Sequence, residues 1–387
     1  MGKYHIEDRK WETTGLALAI TASMAVSGGS AFAQNFRVEG TDAVMGVGAR
    51  YLSMGGTGAS TADDPHAVFY NPSLLTGIDR VSIVGTRQLD AKLRPYNFIG
   101  IAVPLPFLQE TGFDITLGAA RYNRVHSRSS GAFEASDVES IFLRYLLPGI
   151  SGTYDGDIDS KTLVNRFALA FSHQALSKLS FGVNLDLIDC KTNSCGVHAG
   201  SNGYEVASVG ATAVSFGVST TYRPHNRLTF GASYTDINTL LKVISVTTDN
   251  TGTRRNISFS GLPGQLRLEA SYIWNDQWLF AAGYQKMWGA YGNYELNYET
   301  VHFGLEFQQS DVVAWRGGFM APVQIKSSQG VNFTFPYGLP TLPIPTAGVG
   351  ISLSSIEVDL AAYLNPIMTL HKKHPVISAE LTLTHRF

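Results

Sequence analysis

The feature that most limits what this chain can fold into is a period of two in hydrophobicity, repeated from about residue 81 to the last residue. In the final segment Ile377, Ala379, Leu381, Leu383, His385 and Phe387 fall on one face, and Ser378, Glu380, Thr382, Thr384 and Arg386 on the other. Leu179, Phe181, Val183, Leu185 and Leu187 alternate in the same way with Ser180, Gly182, Asn184 and Asp186. Leu266, Leu268, Ala270, Tyr272 and Trp274 alternate with Gln265, Arg267, Glu269 and Ser271. Successive side chains of a strand point to opposite faces, so each such segment reads as a strand with one apolar and one polar face. Fourteen segments qualify, near 81–90, 96–103, 113–123, 163–174, 179–189, 206–222, 228–236, 264–275, 277–288, 295–308, 312–321, 346–353, 355–364 and 376–387. An even count suits a closed transmembrane barrel.

The connections sort by length. Short ones at 175–178, 223–227, Asp276 and Ser354 alternate with long ones at 124–162, 190–205, 237–263 and 322–345. Extracellular loops and periplasmic turns of a membrane barrel alternate this way. The first pair breaks the rule, since 91–95 is short and 104–112 longer. The polar faces carry Arg166, Asp186, Arg267, Glu269, Glu306 and Glu380. A soluble sandwich buries both inner faces against each other. In a barrel the polar face lines a lumen, the apolar face meets lipid, and lipid tolerates no open sheet edge. Tyr272, Trp274, Trp278, Tyr284, Tyr294 and Tyr298 lie near predicted strand ends, as interface girdles would. The sequence therefore predicts an all-β fold, a transmembrane antiparallel β-barrel of about fourteen strands.

Composition removes the competitors. Only 16% of the 387 residues are charged, against about 25% in soluble domains. The formal net charge of −2 and 11% aromatics argue against intrinsic disorder and against a nucleic-acid binder. Beyond the N-terminus there is no apolar run of roughly 18 residues, as a spanning helix needs.

The N-terminus reads as an export signal: Lys3, Arg9 and Lys10, an apolar stretch from Leu16 to Val26, then Ala31-Phe32-Ala33, with cleavage expected after Ala33. The expected division is a signal at 1–33, an N-terminal segment at 34–80 and the barrel at 81–387. Cys190 and Cys195 are the only cysteines. In an oxidising compartment they are expected to close a small disulfide loop. A metal site would need more ligands than the neighbouring His198, so neither metal nor cofactor is expected. His173, His302 and His385 show no partner spacing and there is no G-x-S-x-G elbow, so no catalytic residue is assigned and the chain is not expected to be an enzyme. A general aqueous porin stays a rival.

Residues 34–78 do not alternate. They contain Gly46, Gly48, Gly55, Gly56 and Gly58, then Ala62-Asp63-Asp64 and Ala67-Val68-Phe69-Tyr70-Asn71-Pro72-Ser73-Leu74-Leu75. The glycine spacing fits neither a dinucleotide fingerprint nor a Walker loop. A compact Gly-rich segment ahead of a barrel is expected inside it, as a plug, with Asn71-Pro72 marking a turn.

The stretch Ala62-Asp63-Asp64 followed by Ala67 to Leu74 resembles the hatch motif of the FadL-type outer-membrane transporters, which include long-chain fatty acid and TodX-type aromatic hydrocarbon transporters. Ser73 stands where the family pattern has Ala. Leu262-Pro263, the Tyr272 strand, Gln277-Trp278 and Trp288 resemble a second stretch of that family. The resemblance implies a fourteen-stranded barrel with an N-terminal hatch in the outer membrane of a Gram-negative bacterium, with Asn71, Pro72 and Ser73 as hatch and gating residues. It implies capture of fatty acids or hydrocarbons among extracellular loops, passage to a pocket against the hatch, and lateral release into the bilayer. Outer-membrane lipid, lipopolysaccharide and, through terminal Phe387, the barrel assembly machinery are the implied partners of a monomer.

Two loops are too apolar to be idle. Phe142, Leu146 and Leu147 sit in one, Phe333 and Phe335 in the other. They form either a capture groove or a cap. Arg166 and Arg267 either hold a carboxylate head group or pair with Glu269, Glu306 or Asp186. His302 is expected as a hydrogen-bonded lumen residue, and Asp63-Asp64 as solvated groups or a helix cap. Gly48-Ala49-Arg50 and Met54-Gly55-Gly56 also resemble PorV-type relatives, carriers or scaffolds in protein secretion, which leaves that function as the alternative.

Overall fold

The computed structural model describes residues 37–39, 45–93, 96–134, 153–199, 204–237, 239–249, 252–261, 263–291, 294–327, 343–366, 368–369 and 374–387. Fourteen antiparallel strands form one closed sheet. They are β1 (Ser82–Gln88), β2 (Phe98–Pro104), β3 (Phe113–Glu134), β4 (Thr153–His173), β5 (Leu179–Ala199), β6 (Tyr204–His225), β7 (Leu228–Thr235 with Leu240–Asp249), β8 (Gly252–Gly261 with Gly264–Asn275), β9 (Trp278–Tyr291), β10 (Tyr294–Gln308), β11 (Val313–Ser327), β12 (Ile344–Leu353), β13 (Ile356–Leu364) and β14 (Ile377–Arg386). Each strand pairs with the next, and β14 closes on β1 with Leu383 opposite Gly85 and Thr384 opposite Val84. Closure satisfies the ladder at every edge, as hydrocarbon requires.

The alternation read from sequence is the alternation of burial. On β14, Ser378, Glu380, Thr382 and Thr384 are buried while Ile377, Leu381 and Leu383 are exposed. Phe167, Val183, Leu187, Phe216, Leu268, Phe280, Phe303 and Phe319 continue the exposed apolar face around the barrel. Arg166, Asp186, Glu269, His302, Glu306, Arg316 and Asp359 are buried on the inner face. Soluble monomers rarely expose apolar patches beyond a few hundred Å², so a face of this extent belongs in lipid.

The strands run further than the alternation. Residues expected as loops at 124–162 instead extend β3 to Glu134 and start β4 at Thr153. The expected 237–263 loop is a hairpin that prolongs β7 and β8. The 322–345 connection narrows as β11 runs to Ser327 and β12 starts at Ile344. A span needs about 9–11 strand residues. Beyond the bilayer both faces meet water, the apolar/polar period disappears, and backbone pairing continues without it.

Short turns use a common device. The His173 side chain accepts from the Ala175 N–H at 3.1 Å, His225 from Arg227 at 3.2 Å and Asn275 from Gln277 at 2.9 Å. The cysteine expectation is corrected. Cys190 and Cys195 lie on the same strand, β5, opposite Thr162 and Asp157 of β4. Five steps along a strand separate Cα atoms by roughly 16 Å, far beyond disulfide reach.

Inside the barrel, residues 45–78 form α1 (Ala49–Ser53), α2 (Ala67–Tyr70) and a 3-10 helix (Pro72–Gly77). Gly55 and Gly56 have φ of 71° and 82°, a left-handed turn that glycine adopts without penalty. Met45, Val47, Tyr51, Leu52, Met54, Val68, Phe69, Tyr70, Leu74 and Leu75 are buried against the wall. Wall glycines admit the segment: a Cβ on Gly231 would strike Ala59, on Gly304 Met54, and on Gly182 the Ser73 backbone.

Candidate functional site

The inner seat of residues 45–78 is built from polar side chains that alternation points inward. Glu269 of β8 is the most committed of them. Its Oε2 accepts from the Gly58 and Ala59 N–H groups, each at 3.0 Å. Its Oε1 accepts from the Ser60 N–H at 2.9 Å and the Ser60 hydroxyl at 2.7 Å. A buried carboxylate needs such compensation, and a run of three backbone N–H groups provides an anion seat.

The Asn71-Pro72-Ser73 motif acquires a physical account. Asn71 Nδ2 donates to the Ala59 carbonyl at 2.7 Å and to Thr221 Oγ1 at 3.1 Å. Its Oδ1 accepts from the Ser73 N–H at 3.2 Å and the Ser73 hydroxyl at 2.6 Å. Asn71 thus caps the 3-10 helix, links two turns of the segment and ties both to β6. Pro72 holds the first position of that helix, where a missing N–H costs nothing. The Ser73 N–H also donates to Ser219 Oγ at 3.1 Å, and its hydroxyl lies 2.6 Å from Thr221 Oγ1. Serine at this position therefore adds polar anchors that alanine lacks.

Arg166 has donors turned to Asp186 and to the segment. Nε and Nη2 each donate to the Asp186 carboxylate at 2.6 Å, and Nη1 donates to the Phe69 carbonyl at 3.0 Å. This is the pairing alternative of the sequence reading, in place of a head-group site. Arg267 stacks over the Phe69 and Tyr70 rings at 4.7 and 5.3 Å, a cation–π arrangement. Glu306 binds Arg50 and Arg316. His302 behaves as a lumen hydrogen-bonder, with Nδ1 2.7 Å from the Gly55 carbonyl and Nε2 2.8 Å from Thr300 Oγ1. Phe142, Leu146, Leu147, Phe333 and Phe335 lie outside the described residues.

Asp63 and Asp64 separate. Asp63 is exposed and takes both its bonds from Arg50 Nη1 at 2.7 Å. Asp64 is buried rather than solvated and follows the capping alternative: it accepts from the His66 N–H, at the start of α2, at 2.8 Å, with His66 Nδ1 at 2.9 Å. Burial alone would raise the Asp64 carboxyl; the charge and hydrogen bonds of His66 outweigh it and hold it below the usual carboxylate range. His66 Nε2 reaches Thr86 Oγ1 at 2.9 Å, which lies 3.0 Å from Thr382 Oγ1. Thr382 in turn accepts from the Ala49 N–H at 2.9 Å, and Glu380 from the Gly48 N–H at 2.9 Å. Burial raises the Tyr70 phenol, which stays protonated and donates to the Val47 carbonyl at 2.9 Å.

At the end of the lumen beside the short turns, Arg50 makes a fork with Glu306 at 2.9 and 3.1 Å. Arg316 joins Glu306 at 2.6 Å and also pairs with Asp359. Arg386 pairs with Glu357 at 3.1 Å. Sequence reading placed Glu306 on the inner face but missed this network and the Glu269 seat. The signal was there: charges on inward positions of neighbouring strands, facing a glycine-rich segment. Among the described residues no group of three or more His, Cys, Asp or Glu is arranged to hold a metal.

The closed sheet, its apolar outer face and its filled polar lumen define an outer-membrane β-barrel. The fold is that of the FadL-type channels. The toluene transporter TodX of Pseudomonas putida superposes with a TM-score of 0.57 at 16% identity, over 89% of this chain and 99% of that one. The toluene transporter TbuX of Ralstonia pickettii gives 0.56 at 17% identity, over 89% and 99%. A FadL homologue of Pseudomonas aeruginosa gives 0.57 at 14% identity, over 92% and 99%. No family model and no curated protein matches the chain.

Proposed function

We propose that this chain is an outer-membrane uptake channel for hydrophobic small molecules, long-chain fatty acids or monoaromatic hydrocarbons. Residues 34–80 act as its hatch, and ligand leaves sideways into the bilayer. The observation that carries the reading is the hydrogen-bonded filling of the lumen by residues 45–78, which reach Glu269 of β8, Thr221 of β6, Arg166 of β4, Glu306 of β10 and Glu380 of β14. An aqueous porin keeps such a path hydrated, whereas a plugged barrel with an apolar outside suits solutes that leave through the wall. The fold shared with toluene transporters and a FadL homologue supports the same substrate class. Apolar residues 142, 146, 147, 333 and 335 would give the first capture, each buried ligand CH₂ contributing about 0.8 kcal/mol.

Uptake of radiolabelled oleate and toluene by cells expressing the full chain, against cells lacking it, tests the reading. Faster uptake of either, with no steady ion conductance in planar bilayers, is the expected result. An open conductance without apolar uptake would replace it with a porin.

A further inference from the structure

The outer face of the wall carries polar side chains at one place where the alternation leads to apolar ones. Counted from the end of the barrel with the short turns, the outward residues of β3 run Ile115, Leu117, Ala119 and then Arg121, beside the buried Ala120 and Tyr122. On β1, Ile83 and Gly85 lead to Arg87, which lies between the buried Thr86 and Gln88. On β4, Leu169 and Phe167 lead to Asn165, between the buried Val164 and Arg166. The three polar positions therefore point out of the barrel. They lie toward the long connections, the end of such a barrel that faces the outside.

The two arginines flank β2 and are both exposed. Gly85 pairs with Ile99, and Ile99 with Arg121. Arg121 thus stands two strands (roughly 10 Å) from β1, and Arg87 two residues (roughly 7 Å) along β1 from that row. Two long side chains at this spacing can converge on one point. Arg87 faces Leu381 of β14, and Arg121 faces Ile99 and Asn165; none of these partners is acidic. Among the described residues neither arginine side chain makes a hydrogen bond or an ion pair. Two other outward cations are paired, Lys286 with Glu299 at 3.0 Å and Lys191 with Asp189 at 2.8 Å. Beside Arg87 the wall is dented. A Cβ on Gly85 would meet nothing within 4 Å, and the side chains across from it, Leu383 and Ile99, stand exposed.

We propose that Arg87 and Arg121, with Asn165 beside them, seat the phosphorylated headgroup of lipopolysaccharide on the outer wall, with one acyl chain lying in the dent at Gly85. The inference concerns the lipid around the barrel and does not depend on the uptake reading above. An arginine on the lipid face is costly at the bilayer midplane and much less so at headgroup level, so two of them side by side call for an anion. A guanidinium offers a fork of N–H donors that matches phosphate oxygens bidentately. Two such forks and the Asn165 amide can hold a phosphate from more than one side. Toward the short turns Ile83 and Leu117 continue the apolar wall, so a chain hanging from that phosphate stays in hydrocarbon. The outer leaflet supplies a lipid with phosphates on a sugar headgroup and several chains, whereas the phospholipids of the inner leaflet meet the other end of the barrel.

The test titrates the detergent-purified full chain with diphosphoryl lipid A and counts bound lipid by native mass spectrometry. The parent is expected to retain one lipid A. Arg87→Gln with Arg121→Gln is expected to weaken that binding at least about tenfold. Lys178→Gln with Arg227→Gln removes the same charge from exposed positions at the short turns and is expected to leave binding unchanged. Gly85→Trp keeps both arginines and fills the dent; it is expected to weaken binding about fivefold in a barrel that keeps its folded gel mobility. Lipid A stripped of its phosphates should bind the parent no better than diphosphoryl lipid A binds the double arginine variant. Parent-like binding by the double arginine variant, or an equal loss in the short-turn variant, overturns the headgroup seat. Parent-like binding by Gly85→Trp overturns the place given to the chain. Phosphatidylglycerol held as tightly as lipid A overturns the assignment to lipopolysaccharide.

Discussion

The N-terminal segment is held in the barrel by two different kinds of anchor. Toward β6 and β8 it is held by hydrogen bonds that are buried and nearly complete: Glu269 takes four from residues 58–60, and Asn71 bonds Ala59, Ser73 and Thr221. Toward β10–β14 buried bonds from Gly48, Ala49 and Gly55 are joined by charges: Arg50 bridges Glu306 and Asp63, beside Arg316 and Arg386. The first anchor is dry and geometrically exacting. The second reaches solvent at Asp63, whose side chain is 54% exposed. Buried charge-assisted bonds lose their full desolvation when a partner is removed, whereas exposed pairs contribute little and are screened by salt. The ionic contacts around Arg50 and Asp63 are therefore the ones most open to salt and solvent.

The largest effect is expected from Glu269→Ala. It strands three backbone N–H groups and the Ser60 hydroxyl in a buried seat, at a cost of about 4 kcal/mol. Protease sites within 45–78 should become cleavable in the detergent-solubilised protein while the barrel keeps its folded gel mobility. Resistance equal to that of the parent would show that Glu269 is not the principal anchor. Asn71→Ala comes next, at about 2 kcal/mol, since it removes a helix cap and a buried amide together. Thermal unfolding of the same preparation measures it.

The contrast between anchors also explains what the sequence made legible. Period-two alternation placed Glu269, Arg166 and Glu380 on the inner face, because the strand period fixes sidedness before any contact is known. The same alternation stopped at about residue 123 on β3, where both faces become polar, and at 236 on β7, where Leu240, Leu241, Val243, Ile244 and Val246 do not keep a period of two. Those stops hid the register shift between Asn123 and Val125 on β3 and the gap in the β6–β7 ladder between Tyr234 and Lys242. The hatch motif was readable as Asn71-Pro72-Ser73, yet its partners Ser219 and Thr221 are ordinary polar residues of a strand. Their role depends on a register set by the fold. Of the two readings of Asp63-Asp64, the solvated one suits Asp63, while Asp64 accepts from the His66 N–H at the start of a short helix; nothing local announces that it is buried there. The cysteines were misread because five-residue spacing suggests a loop only when no strand passes through both.

On the ionic side, Arg50→Gln removes one fork of the pair with Glu306 but leaves Arg316 beside that carboxylate. Because Glu306 keeps a cation, the expected loss is about 1.5 kcal/mol rather than the larger cost of an orphaned buried charge. Protease access to residues 45–78 should rise, but less than in Glu269→Ala. A loss matching that of Glu269→Ala would erase the distinction between the anchors.

Asp63→Asn should have the smallest effect and sharpens the comparison most. Half-exposed, Asp63 contributes about 0.5 kcal/mol to its pair with Arg50. Salt at about 1 M, where the screening length falls to roughly 3 Å, should bring the parent's protease resistance down to that of Asp63→Asn and move the variant little further. The Glu269 anchor should not respond, because its donors are backbone N–H groups with no charge to screen and no solvent between them and the carboxylate. Salt sensitivity that persists undiminished in Asp63→Asn would place the salt-sensitive contact deeper, at Glu306 and Arg316. An equal response in Glu269→Ala and its parent is expected, since the two anchors share no side chain.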